Sequence, residues 1–155
     1  MITQIIAEVP PEIDTLEPRI QIDAIEAKLF SLPQRELAVK HKFTPGLYCR
    51  EIFMPAGTLL TSKIHRTEHP FVIAKGRVSV WTERDGVIEL SSPHNGTTYP
   101  NTRRILYIHE DCVWITYHPT TKTTVEEVEA EIIEPHVNAH TGLETKQAQQ
   151  LLGIK

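Results

Sequence analysis

Between residues 37 and 119 apolar and polar positions alternate in short runs: LAVKHKF, LYCREIFM, TLLTSKI, PFVIAKG, RVSVWTE, GVIELSS, RRILYIH and CVWITYH. A period of two puts one face of each run against a core, as in a half-buried strand. TPG, PAG, KG, RDG, PHNG and HED separate the runs with turn-forming residues. Closely spaced short strands of this kind predict a sandwich or barrel rather than strand–helix–strand units. ERDG reads as a tight hairpin turn in which Asp85 and Gly86 take positive φ. HEDC reads as a second hairpin, joining two runs rich in β-branched and aromatic residues.

The flanks follow a different rule. RIQIDAIEAKLFSL places Ile22, Ile25, Leu29 and Leu32 at helical spacing, with Asp23 as a plausible cap. The segment TTVEEVEAEIIEP is acidic and fits either an edge strand or a short helix. HVNAHTG reads as a loop, and LETKQAQQLLG predicts a final helix stopped by Gly153. The chain therefore divides into an N-terminal arm with a short helix over 1–35, a β-barrel over 36–134, and a C-terminal loop and helix over 135–155.

Composition narrows the function classes. The 155 residues suit one domain with short extensions, and no apolar run reaches membrane-spanning length. A formal net charge of −4 argues against phosphate-driven nucleic-acid binding. MITQIIAEVPPEID has neither the basic nor the apolar region of a secretory signal. Cys49 and Cys112 form no CxxC pair, which excludes a zinc ribbon or thioredoxin-type site and predicts buried free thiols. Eight histidines direct the search toward metal ligands.

His65 and His69 stand four apart, with Pro70 immediately after. The proline bars one unbroken helix from presenting both inward. A strand–turn–strand junction can do so, with His65 ending one strand and His69 beginning the next. The spacing fits a metal site and a polar turn beside Glu68 equally. Arg50 and Glu51 read as a surface pair, and Arg103 and Arg104 as an exposed basic strand end or as anion contacts. Trp81 and Trp114 read as core.

The stretch SKIHRTEHPFVIAKG resembles the first cupin motif. Gly57 opens it, Lys63-x-His65 stands in the HxH slot, His69 in the acidic slot, and Gly76 closes the frame. PNTRRILYIH keeps the frame of the second motif, with Thr102 at the glycine, Ile105 at the ligand histidine and His109 at the asparagine. The resemblance implies a mainly β, cupin-like jelly-roll barrel in which half of the usual ligands are replaced. Folding the HEDC hairpin antiparallel pairs Ile105 with Thr116 and puts His118 on the same face. His109 shares that face about 13 Å away at ~3.3 Å per residue. The candidate metal set is therefore His65, His69 and His118, with His109 and His41 as lesser alternatives for the third ligand. Imidazoles alone suit a divalent transition metal such as zinc, iron, nickel or copper.

Residues 33–133 further resemble small cupin-like proteins of tailed bacteriophages. That resemblance implies a virion component or, equally, an accessory protein made during infection, acting as a structural, assembly or binding module that is a homo-oligomer or docks on other phage structural proteins. The replaced ligands lean the reading away from turnover. Such a protein is located in the virion if phage-encoded and in the cytoplasm otherwise. The alternative is a metal-dependent cupin enzyme, a dioxygenase, isomerase or sugar-modifying protein. A small-ligand sensor needs only the barrel pocket.

Overall fold

The structure, a computed structural model, describes residues 18–135. In chain order the elements are α1 (Pro18–Phe30), β1 (Ala38–Thr44), β2 (Leu47–Met54), β3 (Leu59–Thr61), β4 (His69–Thr82), β5 (Gly86–Ser91), β6 (His94–Thr98), β7 (Arg104–Pro119) and α2 (Val125–Ile132). The chain is mainly β, and every strand pairing is antiparallel.

Two long strands organise everything else. β4 and β7 pair along most of their length, from Phe71 opposite Thr116 to Thr82 opposite Arg104. Each takes different neighbours on its two halves. β7 pairs β3 near its start and β2 near its end, while β4 pairs β6 near its start and β5 near its end. The sheet thereby forms two layers, β1-β2-β7-β4-β6 and β3-β7-β4-β5, that share their central strands. Ile52, Met54, Phe71, Ile73, Cys112 and Trp114 of the first layer pack against Val78, Val80, Leu106 and Ile108 of the second. The alternation predicts a sandwich or barrel core of this kind, and its jelly-roll form is the one that the cupin resemblance implies.

The HEDC hairpin does not form. β7 runs through it unbroken, with Glu110 and Asp111 exposed at a corner. Opposite them, the β4–β7 register slips around Lys75–Arg77. An extra residue on one strand bends the pair without reversing it. It also flips the alternation on β4, whose inward residues change from 69, 71 and 73 to 78 and 80. The runs PFVIAKG and RVSVWTE are therefore one strand. PHNG, expected as a turn, lies largely in β6.

Other expectations resolve simply. The β4–β5 hairpin forms at ERDG, with Gly86 at φ 65°. Asn101 is the sole non-glycine with positive φ among the described residues, so Asp85 does not adopt it. Instead its backbone N–H donates to Thr82 Oγ1 at 3.0 Å. The acidic segment is a helix: Thr124 accepts from Glu127 N–H at 3.3 Å, and Glu126 and Glu127 occupy the first turn. Acids there suit the positive end of the helix dipole.

α1 lies on the outer face of the second layer, burying Ile22 and Ile25 against Trp81, Val87 and Ile105. Asp23 is within this helix rather than capping it. It and Glu26 both bind Arg103, the latter at 2.8 Å. The expected exposed pair Arg103 and Arg104 is buried, each 9% exposed. α2 closes the end of the barrel, packing Val128 and Ile132 on Tyr48. Cys112 is buried and Cys49 half-buried, both free thiols. No described helix is long and apolar enough to cross a membrane. The predicted final helix lies outside the described residues.

Candidate metal centre

His69 opens β4 and His118 ends β7, both on the inward face. His65 belongs to no strand. It lies in the segment between β3 and β4, where its backbone bridges Ile133 after α2. That segment is strapped by Arg66 N–H to Ile132 O at 2.8 Å and by Glu134 N–H to Ile64 O at 2.9 Å. Asn101 N–H donates to His65 O at 2.8 Å from the opposite side. α2 therefore fixes a residue sixty positions away in sequence.

These three histidines converge. One ring nitrogen from each lies within 4.8 Å of the other two. Ring centroids stand 4.6 Å apart for His65 and His69, 4.2 Å for His69 and His118, and 5.7 Å for His65 and His118. Three nitrogens on one tetrahedral ion at ~2.05 Å would be roughly 3.3 Å apart, so the rings would have to move inward to hold one.

Hydrogen bonding prepares the lone pairs. A carbonyl can only accept, so His69 Nδ1–H donates to Thr67 O at 3.1 Å and Nε2 is left as an acceptor. His118 Nε2 pairs with Thr116 Oγ1 at 2.9 Å, while its Nδ1 is buried without a partner. His65 Nδ1 is likewise buried and unpartnered among the described residues. Orienting one ring nitrogen through the protein while the other faces inward is how metal-binding histidines are held. Burial pushes His65 and His118 down to about 3, with the neighbouring His69 adding to it, and lowers His69 as well. The imidazoles are therefore neutral, the form that ligates metals.

The remaining candidates do not join them. Ile105 faces outward beneath α1, so the second-motif frame on residues 100–109 supplies no ligand. His118 shares the inward face with Trp114 and Thr116, not with Ile105. His109 lies on the outer side, 2.7 Å from Ser79 Oγ. His41 is exposed and meets the Tyr48 hydroxyl at 2.6 Å, and Tyr48 in turn stacks on His118. Lys63 points to Glu129 of α2 at 3.6 Å.

The histidines face a cavity of about 270 Å³ inside the barrel. Ile52, Met54, Leu60, Leu106 and Trp114 form its apolar wall. Arg50 and Arg104 also line it, although the sequence favoured surface positions for both. Strand parity could have placed Arg104 inside, because Leu106 and Ile108 share its phase on an unbroken β7. Thr98 of β6 lines it too, and no such parity marks it, because PHNG reads as a turn in the sequence.

No family model matches the chain, and no curated protein does. Several solved structures are similar to it. One is a cupin-2 domain containing protein from Shewanella frigidimarina NCIMB 400, at TM-score 0.45 and 14% identity, covering 59% of this chain and 89% of that one. Another is an RmlC-like cupin family protein with a double-stranded β-helix fold from Methanocaldococcus jannaschii, at TM-score 0.46 and 12% identity, covering 56% and 83%. A third is a conserved protein with a double-stranded β-helix domain from Klebsiella pneumoniae subsp. pneumoniae MGH 78578, at TM-score 0.49 and 11% identity, covering 60% and 85%.

Proposed function

We propose that this chain is a cupin-type barrel with a divalent transition metal held by His65, His69 and His118, and that the centre serves small-molecule chemistry inside the cavity. The observation that carries it is the convergence of three neutral imidazoles, His69 and His118 buried and His65 half-buried, two of them with unpartnered ring nitrogens. An unsatisfied buried polar atom costs about 1–3 kcal/mol, a cost that coordination would remove. Three protein ligands leave an open position on a bound ion, which supplies Lewis-acid chemistry. The protein's part is to orient His69 through Thr67 and His118 through Thr116, and to hold the His65 segment against the end of α2.

The competing reading is an assembly module of a virion. Exposed Phe30 and Phe53 are apolar groups that such a contact could use. The position of His69 and His118 on the inward face of the barrel favours the small-molecule reading, because an assembly contact needs an outer surface. Elemental analysis combined with native mass spectrometry separates the two. The expected result is near one zinc, iron, nickel or copper per chain, lost in His118→Ala. A metal-free oligomer from metal-supplemented expression would favour assembly.

A further inference from the structure

The same cavity holds two cations for which the described residues offer no ion pair. Arg104 enters from the start of β7 and is buried. Its Nη2 donates to Thr98 Oγ1 at 2.9 Å, and its guanidinium lies 5.4 Å from the Phe71 ring centre and 5.8 Å from that of Trp114. Among the described residues no carboxylate reaches salt-bridge distance of Arg104 or of Arg50. Adjacent Arg103 shows the contrast, since α1 supplies it with both Asp23 and Glu26. Glu129, the acid on the cavity rim, is engaged by Lys63.

Burying a guanidinium is costly unless an anion accompanies it. One hydroxyl and two aromatic faces offset only part of that cost. Burial lowers the Arg104 pKa to about 10, with the field of Asp85 opposing the shift, so the group remains charged at neutral pH. Three neutral imidazoles add no negative charge, and a metal ion there would add positive charge. An arginine fork matches a carboxylate in two parallel hydrogen bonds. The apolar wall of Ile52, Met54, Leu60, Leu106 and Trp114 favours a ligand with a hydrocarbon body. At about 270 Å³ the space falls just below drug-sized pockets of ~300–1,000 Å³.

We propose that the cavity receives a small organic acid, its carboxylate held by Arg104 with Arg50 as second cation and its other end turned to the three-histidine centre. The proposal deepens the metal-site reading and rests on it only for the second anchor.

The test uses the full chain loaded with zinc, with benzoate, its uncharged analogue benzamide, and inorganic phosphate as probes. Calorimetric titration and melting temperature are the readouts, with metal content measured on every sample. Benzoate is expected to bind and raise the melting temperature, while benzamide does neither. Arg104→Met is expected to weaken benzoate at least tenfold at unchanged metal content, and Arg104→Lys to recover part of the loss. Equal behaviour of benzoate and benzamide on the wild-type chain would overturn the proposal, and this comparison stands even if the variants fail to fold. Binding by Arg104→Met as tight as wild type would overturn it too. Phosphate binding without benzoate binding would overturn the carboxylate assignment. Arg104-dependent benzoate binding by a chain that takes up no zinc would support the acid pocket and sink the metal reading alone.

Discussion

Gly76 of β4 lies so close to Asp111 of β7 that a Cβ on the glycine would sit 2.5 Å from the Asp111 carbonyl oxygen. Its φ of 97° is also outside the range most side chains accept. This contact is the corner at which both central strands bend between layers. Gly76→Ala is expected to cost roughly 2–4 kcal/mol in urea unfolding, from clash and strain together. Gly57 has a similar φ of 81° but open space around it, so Gly57→Ala should cost only about 1 kcal/mol. Equal costs would show that φ alone matters at the corner.

The histidine set makes a selective prediction. His65→Ala, His69→Ala and His118→Ala should each abolish metal retention through gel filtration. His109→Ala and His41→Ala should retain it, because Ser79 and Tyr48 hold those rings outside the cluster. Loss of metal from the His109 variant would relocate the site.

α2 links stability to the site. Ile132→Ala should cost about 2–4 kcal/mol as a core truncation. It should also weaken metal binding by on the order of tenfold, because the backbone beside Ile132 holds the His65 segment. Val87→Ala, beneath α1, serves as the control that loses stability at unchanged metal affinity. Competition with a chromogenic chelator reads both.

Arg103 is a structural cation. Arg103→Met leaves Asp23 and Glu26 without it in a buried setting and should cost about 3 kcal/mol. Combining it with Asp23→Asn and Glu26→Gln should restore most of that. Chemical denaturation of the single and triple variants checks the ordering.

Acid should weaken the metal-free chain in a defined window. His65 and His118 titrate at about 3 when folded, and a solvated histidine titrates near 6.5. Below pH ~6.5 the unfolded chain takes up protons that the folded chain refuses. The stability tied to these rings is complete above that pH and falls progressively toward pH ~3. The urea midpoint of chelator-treated protein should therefore drop between about pH 7.5 and pH 4.5. A midpoint unchanged over that interval would mean that the rings are solvated.

The alternation of residues 37–118 determined that the chain is β-rich with one core, because burial of one strand face imposes a period of two wherever the strand lies. Helical spacing likewise determined α1, and the glycine-framed pair His65 and His69 was visible as a site candidate. Tertiary structure decided the rest. Period two is blind to direction, so a corner and a hairpin at HEDC leave the same local pattern. Only the slipped register of β4 and the bare backbone of Gly76 make it a corner. His118 does lie beside His65 and His69, but an unbroken β7 brings it there and not a hairpin at HEDC. Continuity of β7 puts His118 in phase with Trp114 and sends Ile105 outward to α1. Arg103 and Arg104 are neighbours of identical chemistry, and which one faces α1 and which faces the cavity follows from strand parity together with what packs on each face. Ligands and charges become a site only when separate strands deliver them to one point, and that delivery is a property of the packed sheet.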